Sequence, residues 1–327
     1  MKVLIVGGAG YIGSHMVKLL LDAQHEVVTL DNLENGHLDA ILGGTFVHGD
    51  IADSILLEDL FNQHRFDGVM HFASHIQVSE SMRLPGKYYR NNLVNTLNLL
   101  EAMVTHEVKR FIFSSTAAIF GEPGYVPIDE VHPRKPINPY GRSKWMVEQV
   151  LADYDRAYGL KSVCLRYFNA AGAHPSGLLG ERHEPETHLI PLVLRAASGR
   201  QEAIKVFGTD YKTPDGTCIR DYIHVVDLCD VHLLALQQLV DGAASDGFNL
   251  GNGNGFSVRE VIDAAQRVTG RSIRVIEAGR REGDPARLVA ESSRARAQLG
   301  WRPLFADIET IIAHAWLWEK KQRIGIP

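Results

Sequence analysis

Tyr140 and Lys144 stand four residues apart in the stretch NPYGRSKW, directly after Pro139. Residues at i and i+4 share one face of a helix, and a proline cannot continue a helix from upstream. The spacing predicts a phenol and an ammonium side by side at a helix start. Such a pair suits proton abstraction from an alcohol. A free tyrosine titrates near about 10, so making it a base near neutrality takes about 4 kcal/mol. One cation at about 4 Å supplies roughly that much at an effective dielectric near 20. On this reading the ammonium makes the phenol acidic. Ser114-Ser115-Thr116 closes an apolar run upstream and offers a hydroxyl, Thr116, to orient the alcohol.

A second constellation supplies a hydride acceptor. Gly8-Ala9-Gly10-Tyr11-Ile12-Gly13 fits G-x-G-x-x-G, and Gly7, Gly10 and Gly13 fit the longer G-x-x-G-x-x-G. The turn follows the apolar run KVLIV and opens a helical pattern, and Asp31 ends the next apolar run. In that context the glycines let the backbone approach a pyrophosphate, whose charge faces the helix N-terminus. Asp31 suits the two ribose hydroxyls of an adenosine, and its charge repels a 2′-phosphate, so NAD is expected rather than NADP. Asp50, just after a third apolar run, is placed to reach the adenine amino group and serves equally as a turn residue.

These groups need a common edge. Short runs rich in Val, Ile and Phe at 2–6, 26–31, 44–50, 66–73, 108–116 and 160–169 read as strands. Helical patterns at 53–64, 85–105 and 140–158 lie between them. Such alternation predicts an α/β fold, a Rossmann-type doubly wound parallel sheet with helices on both faces. Right-handed crossovers put every strand C-terminus along one edge, where ligands bind. Beyond about residue 170, Pro and Gly become frequent and helical patterns fall at 188–198, 226–240, 257–268 and 306–321. The expected division is an NAD-binding domain over 1–170 and a smaller mixed α/β lobe over 171–327, with some later segments returning to the first.

Composition narrows the function classes. The chain has 327 residues, 45% hydrophobic and 22% charged, ordinary for a globular protein. A formal charge of −5 with scattered basic residues gives no footprint for nucleic acid. No apolar run reaches the roughly 18 residues of a membrane span, and glycines interrupt the apolar N-terminus. Cys164, Cys218 and Cys229 show neither metal-ligand spacing nor an even framework, which suits a reducing cytoplasm.

With GGAGYIG, FSST and YGRSK in place, the chain resembles the UDP-glucose (or UDP-galactose) 4-epimerase family of the extended short-chain dehydrogenase/reductase superfamily. The resemblance also runs through DNLENGH, HFAS, YYRNN, RYFNAAGAHPSG, DGTCIRDYIHV, FNLGNG and RREGDPARLVA. It implies NAD-dependent interconversion of UDP-galactose and UDP-glucose, with Tyr140 as base, Lys144 as its tuning cation and ribose ligand, and Thr116 as hydroxyl partner. It places Gly7, Gly10, Tyr11, Ile12, Asp31, Asn32, Asp50, Ile51, Phe72, Ala73, Asn91 and Phe168 along the NAD. Asn169, His188, Phe207, Arg220, Arg281 and Asp284 would hold the UDP-sugar; arginine forks do suit a diphosphate. The resemblance further implies a homodimer through the helices at about 85–105 and 140–158.

The chain departs from the family in places. Thr116 replaces a frequent serine, Ile76 a lysine found near the cofactor phosphate in some members, and His188 an asparagine. Leu288, intermediate in bulk, occupies the position that gates N-acetylated sugars. Ala117-Ala118 follow Thr116 where 4,6-dehydratases carry an Asp-Glu pair, which argues against dehydration. UDP-glucuronate, UDP-xylose and UDP-N-acetylglucosamine remain as alternative substrates, and a catalytically silent NAD sensor as an alternative class. No metal is expected. In RHEPETH, His183, Glu184, Glu186 and His188 do not follow the order of a zinc helix, and Pro185 breaks one.

Overall fold

The computed structural model describes residues 1–281 and 284–324. Glu282 and Gly283, within RREGDPA, lie outside the described residues. The strands are β1 (Lys2–Val6), β2 (Glu26–Asp31), β3 (Thr45–His48), β4 (Gly68–His71), β5 (Arg110–Thr116), β6 (Lys161–Tyr167), β7 (Asn169–Ala171), β8 (Ile204–Phe207), β9 (Ile219–His224), β10 (Asp246–Leu250), β11 (Gly255–Ser257), β12 (Val275–Ala278) and β13 (Arg287–Leu288). The helices are α1 (Tyr11–Asp22), α2 (Ser54–Gln63), α3 (Val78–Arg83), α4 (Pro85–Tyr89), α5 (Asn95–Thr105), α6 (Pro139–Tyr158), α7 (Leu189–Ser198), α8 (Val225–Val240), α9 (Val258–Thr269), α10 (Ser293–Gln298) and α11 (Ile308–Ile324).

Seven strands form one sheet in the order β10-β6-β5-β4-β1-β2-β3, and each adjacent pair is parallel. Both faces are apolar because both are covered. Met16, Val17, Leu20, Leu228, Val231 and Leu236 pack α1 and α8 on one face. Leu57, Leu99, Met103, Val147 and Leu151 pack α2, α5 and α6 on the other. The chain winds outward in both directions from β1 and β4, so the topological switch point lies between them. The register brings Val6 beside Leu30 and His71, and Thr116 beside Tyr167, which aligns the carboxyl ends.

The expected doubly wound parallel sheet is found, with two differences along the chain. The run 160–169 is two strands rather than one. β6 stays in the large sheet, whereas β7 pairs with β9 in a small sheet with β11 and β13. Asn169 drives the change of sheet, its side-chain amide donating to the Asp221 carbonyl at 2.9 Å. The helix expected at 85–105 is interrupted by a π-helical stretch, Arg90–Val94, between α4 and α5. Its extra residue turns Asn92 inward, where it bonds both the amide and carbonyl of His75 and the Ser143 hydroxyl. α8 and β10, from beyond residue 170, belong to the large sheet's layers. α10 joins those layers through Ala295, whereas α7, α9 and α11 pack a separate core around Val193, Tyr222, Val261 and Ile311.

Candidate active site

The glycine turn joins β1 to α1 with Gly7 at φ +83°. A Cβ on Gly7 would lie 2.5 Å from the Ala73 nitrogen, and one on Gly13 would lie 2.1 Å from the Gly7 carbonyl oxygen. Both closures exclude any larger residue. Gly10 caps α1 with no side-chain hydrogen bond and no acidic residue follows in the first turn, so the first amides face outward for an anion. Asp31 is buried at the end of β2 and accepts from the Ala9 amide at 2.9 Å and the Leu33 amide at 2.8 Å. That fixes the carboxylate over the turn with lone pairs to spare for a ribose diol. Asn32 donates to Asp50 at 2.7 Å, while Asp50 also accepts from the Ala52 amide, so it holds its own turn. Phe72 and Ala73 follow β4, both amides donating to the Val6 carbonyl. Ile51 is buried beside this edge, and Asn91 donates to Asn92 at 2.9 Å from the π-helical stretch. A cavity of about 270 Å³ opens on Ala9, Gly10 and Tyr11. These donors, the glycine closures and the uncapped helix fit a dinucleotide.

The α6 face holds the acid–base candidates. Asn138 caps the helix through Gly141 at 2.8 Å and Pro139 occupies the first turn, so Tyr140 and Lys144 fall on one face as expected. Tyr140 lies near the Thr116 hydroxyl at the end of β5, which itself accepts from the Ala118 amide at 3.1 Å. Lys144 differs from expectation: it is buried, and Nζ donates to the Ser114 carbonyl at 2.8 Å and lies 4.7 Å from the centre of the Phe113 ring. Burial drives its ammonium down to about 7, with Glu148 opposing. Burial also pushes the Tyr140 phenol up, and the nearby Thr116 hydroxyl works against that. Burial thus opposes the charged form of both groups.

Sequence reasoning missed Glu148, one further turn along the same face. It is buried, accepts from Ser115 Oγ at 2.6 Å and from Arg166 Nε and Nη2 at 3.0 and 2.8 Å. The repeated spacing of four from Tyr140 to Lys144 to Glu148 was the available signal. Asp221 was also missed. It is fully buried and accepts from the amides of Asn252, Gly253 and Ala290, which pins β9 at the residue after Arg220.

The smaller lobe brings four expected residues into two pairs. Arg220 donates to Asp284 at 2.5 Å and to the Pro285 carbonyl at 2.9 Å. The Arg281 guanidinium lies 3.9 Å from the centre of the Phe207 ring. Leu288 sits opposite Arg220 across the β13–β9 register and packs, with Phe168, against Ala117 and Phe120. Asn169 is bound to β9 as described. His188 stands apart from these pairs at the start of α7, 2.6 Å from Glu181 and 3.4 Å from Glu186. Burial works against its charge, but the two carboxylates push the imidazole up to about 10.

The fold and its nucleotide edge define a class that comparison with known proteins confirms. The profile of the NAD dependent epimerase/dehydratase family matches residues 3–251. The chain belongs to that family; it is an enzyme with NAD as its cofactor. It is 51% identical to a UDP-glucose 4-epimerase of Halalkalibacterium halodurans, over 99% of this chain and 97% of that one. A crystal structure of UDP-glucose 4-epimerase from Brucella ovis in complex with NAD superposes with a TM-score of 0.94 at 48% identity, covering 96% of this chain and 97% of that one. UDP-glucose 4-epimerase from Bifidobacterium longum, in complex with NAD+ and UDP, superposes at 0.93 with 39% identity over 100% of both chains. Among the described residues no helix is long and apolar enough to cross a membrane.

Proposed function

We propose that the chain interconverts UDP-galactose and UDP-glucose by transient oxidation at sugar C4. The observation that carries this reading is the placement of Tyr140 and Lys144 in the first turns of α6, with Thr116 at the carboxyl end of β5, within a chain about half identical to UDP-glucose 4-epimerases over nearly its full length. NAD, when bound, supplies the hydride acceptor and donor for C4. Gly7, Gly10, Tyr11, Ile12, Asp31, Asn32, Asp50, Ile51, Phe72, Ala73, Asn91 and Phe168 hold it. Tyr140 takes the proton of the sugar 4-hydroxyl and returns it after the keto sugar has turned over. Thr116 orients that hydroxyl. Lys144 holds a ribose hydroxyl in place of its present carbonyl partner, which frees its charge to act on the phenol.

Arg220, Arg281, Asp284, Phe207 and Asn169 grip the UDP, so the sugar alone is free to rotate; His188, turned toward Glu181 and Glu186, does not join them. Inversion at C4 requires this division between a held anchor and a loose ring. The Arg220–Asp284 pair must open to receive a diphosphate and a ribose diol; two groups already facing each other are well placed for that.

A homodimer in the cytoplasm completes the reading. It is supported by exposed Met82, Leu84, Val94, Met146 and Tyr158 on the segments around α3–α5 and on α6, and by three free, buried cysteines. The test is to incubate purified protein with UDP-galactose, adding no NAD, and follow UDP-glucose. Product abolished by Tyr140→Phe is expected. Conversion of UDP-glucuronate or UDP-xylose instead would move the substrate, and silence on every nucleotide sugar would point to an NAD sensor.

A further inference from the structure

The loop from β7 to α7 carries Glu181, His183, Glu186 and His188, and one ligand-type atom from each lies within 4.8 Å of all the others. His183 Nδ1 is 3.1 Å from Glu181 Oε1 and 3.9 Å from Glu186 Oε2, and His188 Nδ1 is 2.6 Å from Glu181 Oε1 and 3.4 Å from Glu186 Oε1. A tetrahedral ion with ligands at about 2.0–2.1 Å separates them by about 3.3 Å, close to the middle of that spread.

Close approach alone would describe an ion-pair cluster. The orientation does not. Both imidazole Nδ1 atoms and Glu186 Oε2 are buried and make no hydrogen bond, although a complementary atom is near each. The Glu186 side chain has no exposed surface. Its Oε1 accepts from the amides of Thr187 at 2.8 Å and His188 at 2.9 Å, which leaves Oε2 aimed into the cluster without a partner. The backbone is held from outside as well: Trp318 donates to the Glu181 carbonyl and Arg195 to the His183 carbonyl. Ligands braced by neighbouring groups are the mark of a metal centre.

The geometry points to a structural divalent metal site, N₂O₂ and fitted to zinc, formed by Glu181, His183, Glu186 and His188. Two carboxylates and two neutral imidazoles carry two negative charges, which one divalent cation neutralises. Imidazole ligands favour zinc over magnesium or calcium, which take oxygen sets. Four protein ligands leave no open position, so the role is structural. Pro185 excludes a zinc helix, as the sequence suggested, but an extended loop can gather the same residues without one. The His183 ring packs edge-on to Tyr11, 6.4 Å between centroids, so the ion would brace the loop against the first residue of α1.

The experiment uses the full chain, freed of metal with a chelator, then equilibrated with zinc and dialysed. Elemental analysis should find about one zinc per chain, with a rise in melting temperature that magnesium does not produce. His183→Ala and Glu186→Gln should each lower zinc content at least tenfold, and His183→Cys should restore it, because a thiolate also ligates zinc. Circular dichroism of each variant checks that it folds. Wild-type protein that keeps no zinc and shows no thermal shift would overturn the proposal, as would a folded His183→Ala/Glu186→Gln variant with wild-type zinc content. Zinc content is independent of any sugar turnover, so a failed epimerase assay leaves this result unaffected.

Discussion

Two clusters of titratable groups flank the nucleotide edge, and they are built in opposite ways. On α6, Tyr140, Lys144 and Glu148 follow one another by a turn each. A rise of about 6 Å per four residues keeps them apart, so each has a different neighbour: Tyr140 lies near the Thr116 hydroxyl, Lys144 bonds the Ser114 carbonyl and Glu148 the Arg166 guanidinium. In the loop at 181–188 the chain folds back, and the four side chains meet each other. A helix distributes charges among several partners, whereas a loop can converge them on one point. The same contrast holds among the imidazoles. His188 faces two carboxylates and is pushed up, whereas His15, His71, His224 and His232 lie in the sheet layers, where burial dominates and holds them neutral.

The largest expected effect comes from acid. An unfolded histidine titrates near about 6.5, whereas burial lowers His15 and His232 to about 4 and His71 and His224 to about 3. Below pH 6.5 the unfolded chain therefore binds more protons than the folded one. These groups cost the folded state nothing above pH 6.5, and it loses stability as pH falls from 6.5 to about 4 for His15 and His232 and to about 3 for His71 and His224, each by up to roughly 1.4 kcal/mol per pH unit. Denaturant midpoints at pH 7, 6 and 5 should fall in that order, and a flat series would show that these imidazoles are charged in the fold.

Tyr140→Phe removes the base and leaves its packing. We expect kcat to drop by about a thousandfold or more, about 4 kcal/mol of barrier, with an unchanged melting temperature. A tenfold effect or less would place the base elsewhere. Glu148→Ala breaks the third position of the same face and strands Arg166, which is 5% exposed. Removing one partner of a buried pair costs about 3–5 kcal/mol, to be read from urea unfolding; a loss under about 1 kcal/mol would mean that water replaces the carboxylate. Thr116→Val should be mildest, about 1 kcal/mol or roughly fivefold in kcat, with NAD affinity intact by fluorescence titration.

Much of this was legible before any fold was known. The glycine turn, Asp31 at the end of β2, and the pairing of Tyr140 with Lys144 on one face are local patterns. The missed residues share a different property. Glu148 was within reach of the spacing argument, but its value depends on Arg166 from β6 and Ser115 from β5. Asn92 takes its role from a π-helical stretch that no periodicity announces, and Asp221 from three amides distant in sequence. The burial of the Lys144 ammonium against Phe113 and the Ser114 carbonyl is likewise a tertiary fact that its spacing from Tyr140 does not announce.

The sequence by itself determined which elements form and which residues share a face. Backbone geometry repeats every 3.6 residues in a helix and every two in a strand, so local order needs only local information. Tertiary structure decided which buried charges meet, how far desolvation moves them, and that Glu181, His183, Glu186 and His188 converge. Those outcomes depend on how a loop closes and on what packs against it, and no periodic rule relates residues that meet only when the chain folds back.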